Sequence, residues 1–531
     1  MKQRSFCLSL IILLAADCIY ANDIDVTTYG AKGDSSTLNT LSIQKAIDDC
    51  HKQGGGNVIF PPGKYLSGTI ALKDNVTILL QKNAVILGSL DLQDYQNLDP
   101  FTDGLGIDVG WALVVAVDAK NIGIEGEGAI NGQGTQLKAK QIETDSRPEG
   151  QRWGRRPFLL RLVRCHGVKV KDVTLLYAAA WTTHYFQSTD VYIEGVKIVS
   201  RGVAHNDGID IDGCEHVRIK DCDIVSGDDA LCFKTTSSKM ACRDIVVSGM
   251  KLKSGQGAIK MGTESMAPFE QIRISDCFIY ETNNGGIKLL TVDGAHLRHV
   301  EISNIKMVDV KTPILVRLGS RLSVFRKGND VQQQTGSLEH VVIKNVEARS
   351  ADSTQLKPAS GILITGVPGH DIKDLRLENI LIELPGGGTA ADGRRSVPEA
   401  VDKYPEVKTL GPSVPAYGLW ARHVDGLKLI NVRFTLKHND LRPALVFEDA
   451  KNIEVVQCKI PETTGAQSLI RLEKVEGAMI SGATVRAVAE TFVRLEDSDA
   501  TKLKLKKNKV AGVKKMLEVS NHAKAGVAVN N

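Results

Sequence analysis

The sequence predicts an all-β protein, a right-handed single-stranded parallel β-helix with an N-terminal capping helix. Three observations carry this expectation. From about residue 165 a short alternating segment recurs, in GVKVKDVTL, DVYIEGVKI, HVRIKDCDI, DIVVSGMKL, QIRISDCFI and HVEISNIKM, with a repeat of about 23 to 28 residues, which is the range of stacked solenoid units. Each segment alternates apolar and polar residues about an Asp, Asn or Gly, the pattern of strand, turn, strand. The third observation is length: 531 residues with 49 Gly, 16 Pro and 5% aromatic residues exceed one ordinary globular core but suit an array that grows along one axis. No unit this short buries its apolar face alone, whereas parallel coils stacked at about 4.8 Å cover one another.

The elements follow in order. Residues 1–21, MKQRSFCLSLIILLAADCIYA, place Lys2 and Arg4 before the apolar run Phe6 to Ala16 and end on small residues, the arrangement of a secretory signal peptide cut after Ala21. Residues 22–531 are then expected as a single β-helical domain, exported to the extracellular space or the periplasm. Asp17 before Cys18 makes a poor lipoprotein site, and no later apolar run is long enough to span a bilayer. In residues 40 to 53, Leu41, Ile43, Ala46, Ile47 and Cys50 precede Gly54, Gly55 and Gly56. That stripe predicts a helix covering the open edge of the first coil.

The repeat continues as HVVIKNVEA, DLRLENILI, GLKLINVRF and NIEVVQCKI, interrupted near 320–336, 351–360 and 385–416. Gly and Pro density predicts loops that project from the solenoid, since the strand pattern resumes after each. The basic stretch TKLKLKKNKVAGVKK near the C-terminus reads as the solvated face of a last coil, or as an anchor for an acidic polymer. A net charge of +4 suits a polyanionic partner and is too weak to imply nucleic acid. Cys165, Cys214 and Cys242 share one offset before their β-runs; Cys222, Cys277 and Cys458 share a later one, held elsewhere by Val173, Val196, Met250, Ile305 and Val432. This equivalence predicts stacked buried thiols and leaves a bridge between adjacent coils open.

The richest segment is HNDGIDIDGCEHVRIKDCDIVSGDDALCFKT. Parallel stacking sets Asp207 on one coil beside Asp228 and Asp229 on the next. Cleaving a glycosidic bond requires a protonated carboxyl for the departing oxygen and an ionised one to activate water or attack carbon. Crowded carboxylates supply that split, because repulsion raises one pKa while its neighbour stays charged. Each acid alone is ordinary turn chemistry; on successive coils, each beside a Gly, they point to a site.

From the opening DVTTYGAKGDSSTLNTLSIQKAIDDCHKQGGGNVIFPPGKYLSGTIALKDNVTILL through ALVVAVDAKNIGIEGEGAINGQG, Arg156-Pro157 and the Trp181 to His184 segment, the chain resembles the polygalacturonase family, glycoside hydrolase family 28. The resemblance implies a pectin lyase-like β-helix that hydrolyses α-linked galacturonate in pectic poly- or oligosaccharide with inversion, needing no metal or other cofactor. The family's Asn-Thr-Asp-Gly is similar to His205-Asn206-Asp207-Gly208, and its Gly-Asp-Asp to Gly227-Asp228-Asp229. Carried over, Asp228 is the general acid, Asp207 and Asp229 hold and deprotonate the water, and His205, Asn206, Lys234, Gln256 and Lys288 contact substrate.

Two departures stand out. Gly255-Gln256-Gly257 replaces Gly-His-Gly, exchanging a group that carries a proton for one that does not. Gly286-Ile287-Lys288 replaces Arg-Ile-Lys, which leaves Lys288 alone where a bidentate Arg is usual, as in relatives whose leaving-side sugar is neutral. Glu264, Arg317 and Arg321 are candidate replacements. Arg147, Arg152, Arg155 and Arg156 around Trp153 form a candidate wall, with backbone bracing the alternative for Arg156. Two other functions fit the same fold: a lyase using calcium-bridged carboxylates, and a silent carbohydrate-binding solenoid.

Overall fold

The computed structural model describes residues 22–103, 106–144, 156–326, 328–520 and 528–530. The expected signal peptide and the wall candidates Arg147, Arg152, Trp153 and Arg155 lie outside them. The fold is the expected all-β, right-handed parallel β-helix. Named strands pair in parallel from coil to coil, except for Gln96–Thr102, which runs antiparallel to Asp108–Val117.

The repeats seen in the sequence stack in register. Val168, Val191, Val217, Ile245, Ile272, Val300 and Val341 form one column and all are buried. The residue opening each repeat turns a corner: Gly167, Asp190, His216, Asp244, Gln271, His299, His340, Asp374, Gly426 and Asn452 have φ between 46° and 81°. That left-handed region costs most L-residues about 1–2 kcal/mol, and Asn, Asp and His are enriched there among non-glycines. At the second corner Asn345 donates to Asn304 (3.0 Å), Asn379 to Asn345 (3.1 Å) and Asn431 to Asn379 (2.8 Å). The polar punctuation of the sequence is this pair of corners.

The capping helix spans Thr40–Lys52 and buries Ile43, Ala46, Ile47 and Cys50. Leu41, expected in the same stripe, is 86% exposed; nine residues before Cys50 at ~100° per residue places it on the opposite face. A second helix, Gly134–Thr144, was not legible, its few apolar residues giving no periodic signal. Cys50, Cys165, Cys214, Cys222, Cys232, Cys242, Cys277 and Cys458 are all free and buried. Cys214 and Cys242 share a column on adjacent coils and remain thiols. No described helix is long and apolar enough to cross a membrane.

The 385–416 interval does not project. It lies back over the solenoid as a strap, because Val397, Val407, Leu410, Val414 and Ala416 pack on Leu290, Leu315, Leu363, Trp420 and Val446 in a second apolar core. Arginines rooted in the coils hold its backbone. Arg317 donates to the Ala400 carbonyl (2.6 Å) and to Thr409 Oγ1 (2.8 Å), and Arg422 to the carbonyls of Val397 (2.8 Å) and Pro398 (2.9 Å).

Candidate active site

Ile209, Leu231, Ile259 and Ile287 form one inward column. The residues two positions earlier, Asp207, Asp229, Gly257 and Gly285, therefore lie above one another at the mouth of the turns. The ladder fixes them: Thr182 N donates to the Asp207 carbonyl (2.9 Å) and Gly208 N to the Asp229 carbonyl (2.8 Å). Carboxylate oxygens of Asp207 and Asp229 lie within 4.8 Å of each other. Gly257 is needed beside them, since a Cβ there would stand 3.0 Å from Asp229 Oδ1 and 3.1 Å from Lys288 Cδ.

These groups open into a cleft of about 360 Å³, within the ~300–1,000 Å³ of small-ligand sites. Asp207, Asp228, Asp229, Lys234, Gln256 and Lys288 all line it, as does His205. Asn206 is the exception. It is fully buried, packed beneath Gly227 where a Cβ would meet its Oδ1, and is not among the lining groups. Gln256 Oε1 accepts from Asn284 Nδ2 at 2.8 Å, so the amide is held as an acceptor.

Lysines set the charge states. Lys260 Nζ donates to Asp229 Oδ2 at 2.6 Å and Gly257 N to Asp229 Oδ1 at 2.9 Å. Burial, the largest influence, would raise the Asp229 carboxyl, but Lys260, Lys288 and Lys234 outweigh it and hold it below its ordinary value. Its neighbour behaves oppositely: burial and then the charge of Asp229 push Asp228 up to about 6. The two adjacent carboxyls are thus separated into a proton carrier and an anion.

Lys234 Nζ sits 3.4 Å from Asp207, 3.5 Å from Asp210 and 3.5 Å from Glu264, and 4.4 Å from the centre of the Trp181 ring. Burial and Asp210 push Asp207 well up, while burial carries Asp210 to about 8 against the pull of Lys234. One lysine thus faces three acids, and burial outweighs its pull at both Asp207 and Asp210. Glu264 is held down to about 2, because Lys234, Lys260 and Arg321 overcome the effect of burial. Burial, then Arg156 and Lys234, lower His205 to about 4 and keep its ring neutral.

Lys288 does not stand alone, as the Gly286 departure suggested. Lys260 occupies the same column on the preceding coil. Burial and then Lys260 lower Lys288 to about 8, and no carboxylate of the described residues pairs with it. A Cβ on Gly286 would meet Met307 Sδ and the Pro313 carbonyl, so a side chain there would not enter the cleft. Among the other candidates, Glu264 lines the cleft, Arg317 holds the strap and Arg321 pairs with Asp293 (2.5 Å). Arg156 braces the Ala179 and Ala204 carbonyls.

Sequence reasoning missed Lys260, Asp210, Asn284 and the strap residues Tyr404, Glu406, Lys408 and Thr409, all but Asp210 of which line the cleft. Lys260 was findable, since coil register aligns it with Lys288. The strap was not, because nothing in its sequence gives its docking direction. The only described group with metal-like spacing is Asp207, Asp229 and Cys232. Its carboxylates already face Lys234 and Lys260, and a thiol is a poor ligand for calcium, so these residues do not fit a calcium-bridged lyase site.

A β-helix that gathers Asp207, Asp228 and Asp229 in one lysine-lined cleft, with the Asp228 carboxyl raised and the Asp229 carboxyl lowered, has the parts of a carbohydrate-cleaving enzyme. The model of glycosyl hydrolases family 28 matches residues 66–398, and the chain belongs to that family. It is a glycoside hydrolase acting on O-glycosyl bonds. A model described as rhamnogalacturonase A/epimerase, pectate lyase-like, matches residues 24–84. A probable polygalacturonase of Vitis vinifera is 27% identical over 391 residues, 68% of this chain and 75% of that protein. An endo-polygalacturonase of Pectobacterium carotovorum subsp. carotovorum is 26% identical, covering 54% of this chain and 73% of its own. The family 28 exopolygalacturonase of Yersinia enterocolitica shares the fold with a TM-score of 0.64 at 19% identity, over 82% of this chain and 78% of that one.

Proposed function

We propose that residues 22–531 act as one catalytic β-helix that hydrolyses galacturonate linkages in pectic poly- or oligosaccharide with inversion, using carboxylates and no metal, after export directed by residues 1–21. One arrangement carries this reading: Asp207, Asp228 and Asp229 line one cleft, with Asp228 raised to about 6 and Asp229 held below its ordinary value, beside a buried lysine, Lys288, that makes no ion pair among the described residues. Asp228 gives its proton to the departing oxygen. Water held between Asp207 and Asp229 gives its proton to ionised Asp229 as it attacks the anomeric carbon from the opposite face. Lys288 receives a uronate carboxylate, while Trp181, stacked on Phe158 at 5.2 Å and carrying Lys234 over its ring at 4.4 Å, fixes that lysine at the cleft wall.

The strap packs on the coils that follow Lys288 and lines the cleft with Tyr404, Glu406, Lys408 and Thr409; we read it as a wall at that end, which favours attack at a chain end. The test incubates the protein with polygalacturonan, rhamnogalacturonan and xylogalacturonan oligomers and follows the new ends by NMR. A newly released β-configured galacturonate end is expected. An α-configured or unsaturated product, or turnover abolished by chelator, would overturn the mechanism.

A further inference from the structure

The strap has a second flank. Opposite the catalytic cleft, its residues 390–397 roof a cavity of about 520 Å³ over the coils of Leu445–Val456, Thr464–Ser481 and Thr484–Glu496. This cavity lies on the same face as the cleft. Lys288, Leu315, Leu363, Trp420, Val446 and Arg471 occupy a single outward column, so Arg471 stands five coils beyond Lys288, about 24 Å at ~4.8 Å per coil.

Two charged columns make its floor. Arg471 pairs in register with Arg494, and Glu448 with Glu473 and then Glu496. Arg471 is buried and fixed, donating to the Gly393 carbonyl (2.6 Å) and to Glu448 Oε1 (3.1 Å). The strap adds Arg394 and Arg395. Arg394 donates only to the neutral Gln467 amide (3.3 Å), with no carboxylate of the described residues at ion-pair distance; Arg395 reaches Asp392 only at 3.7 Å.

The lining selects a ligand class. Two poorly neutralised guanidiniums present the planar fork that grips a carboxylate. The stacked glutamates accept from hydroxyls, so they favour an anion that carries hydroxyls around its charge, as a sugar acid does, over a bare phosphate or sulfate. Among the described residues no aromatic side chain lines the cavity, so it lacks the stacking platform that a neutral polysaccharide would use. We propose that this cavity is a second, non-catalytic binding site for a uronate-bearing oligosaccharide, with its carboxylate on Arg394 and Arg395 and its hydroxyls on the glutamate column. The ligand class comes from the lining itself and does not depend on the catalytic assignment.

The test titrates trigalacturonate calorimetrically into the Asp228→Asn protein, with and without Arg394→Ala and Arg395→Ala. Two sites per chain are expected, falling to one in the double variant, whose melting temperature and, on the active background, initial rate on trigalacturonate stay unchanged. Inorganic phosphate and maltotriose are expected not to compete. A single site in both proteins, or equal competition by phosphate, would overturn the proposal. Loss of the cleft signal alone, with the arginine-dependent signal kept, would instead count against the catalytic reading and leave this one standing.

Discussion

Lys260 Nζ and Asp229 Oδ2 lie 2.6 Å apart with both side chains almost wholly buried, one coil apart on the floor of the cleft. This pair widens the difference between Asp228 and Asp229. Lys260 exerts the largest of the three lysine pulls that hold Asp229 ionised, with Lys288 and Lys234 adding to it, so its removal narrows the gap between the two carboxyls.

Replacing Lys260 by Met strands the Asp229 charge in a buried setting. Removing one partner of a buried pair costs about 3–5 kcal/mol, so Lys260→Met lowers the unfolding midpoint in denaturant by a matching amount. It also raises the Asp229 carboxyl, so the remaining activity shifts toward higher pH. Unchanged stability would mean that water already screens the pair.

In the proposed mechanism Asp228 is the acid, so its protonated form must be present. With its carboxyl pushed up to about 6, kcat/KM falls as pH rises through about 6, while the acid limb lies below the ordinary carboxylate value because Asp229 is held down. Asp228→Asn removes the proton donor and lowers kcat by about 10²–10⁴-fold, abolishing the limb near 6 in whatever rate survives. A limb that persists in the variant would assign it to another group.

The β-helix was legible because coil register repeats the same demand at every turn: an apolar column such as Val168 to Val341, and a corner that admits Asp, Asn, His or Gly. The acids were legible for the same reason, since register places Asp207 over Asp229. Lys260 was hidden only because motif reading proceeds along the chain while the solenoid brings residues together across it. The strap stayed hidden for a different cause. Val397, Val407 and Leu410 have no period, and their partners Leu315 and Trp420 lie on distant coils, so no local pattern announces the contact. Asn206 shows the opposite failure: a motif position beside Asp207 whose side chain is buried under Gly227 and does not line the cleft.

Lys288 should discriminate charged from neutral sugars. A hydrogen bond to a charged group contributes about 1.5–3 kcal/mol, so Lys288→Ala raises KM for galacturonate oligomers by about 10- to 100-fold with a smaller change in kcat. Its ammonium is lowered to about 8, so in the parent protein KM climbs as pH passes about 8 and the charge is lost. That alkaline rise should vanish in Lys288→Ala. A KM equally sensitive to pH in both proteins would transfer the role to Lys408 or Lys260.

Arg442 is buried against Asp440 at 2.8 Å and donates to the carbonyls of Ala359 (2.6 Å) and Val414 (3.2 Å), tying the end of the strap to the coils. Arg442→Met leaves Asp440 unpaired in the interior and those carbonyls short of a donor, a loss of about 3–5 kcal/mol. The apolar core under the strap survives the change, so the effect should concentrate where the arginine acted. Hydrogen exchange should accelerate in residues 397–416 before it does in the coils around Asp207 and Asp229. If the strap closes the cleft, its loosening also lets longer chains pass, and products of internal cleavage appear beside terminal ones. Faster exchange with an unaltered product pattern would separate the two claims, keeping Arg442 as the tie and removing the strap as the determinant of chain-end attack.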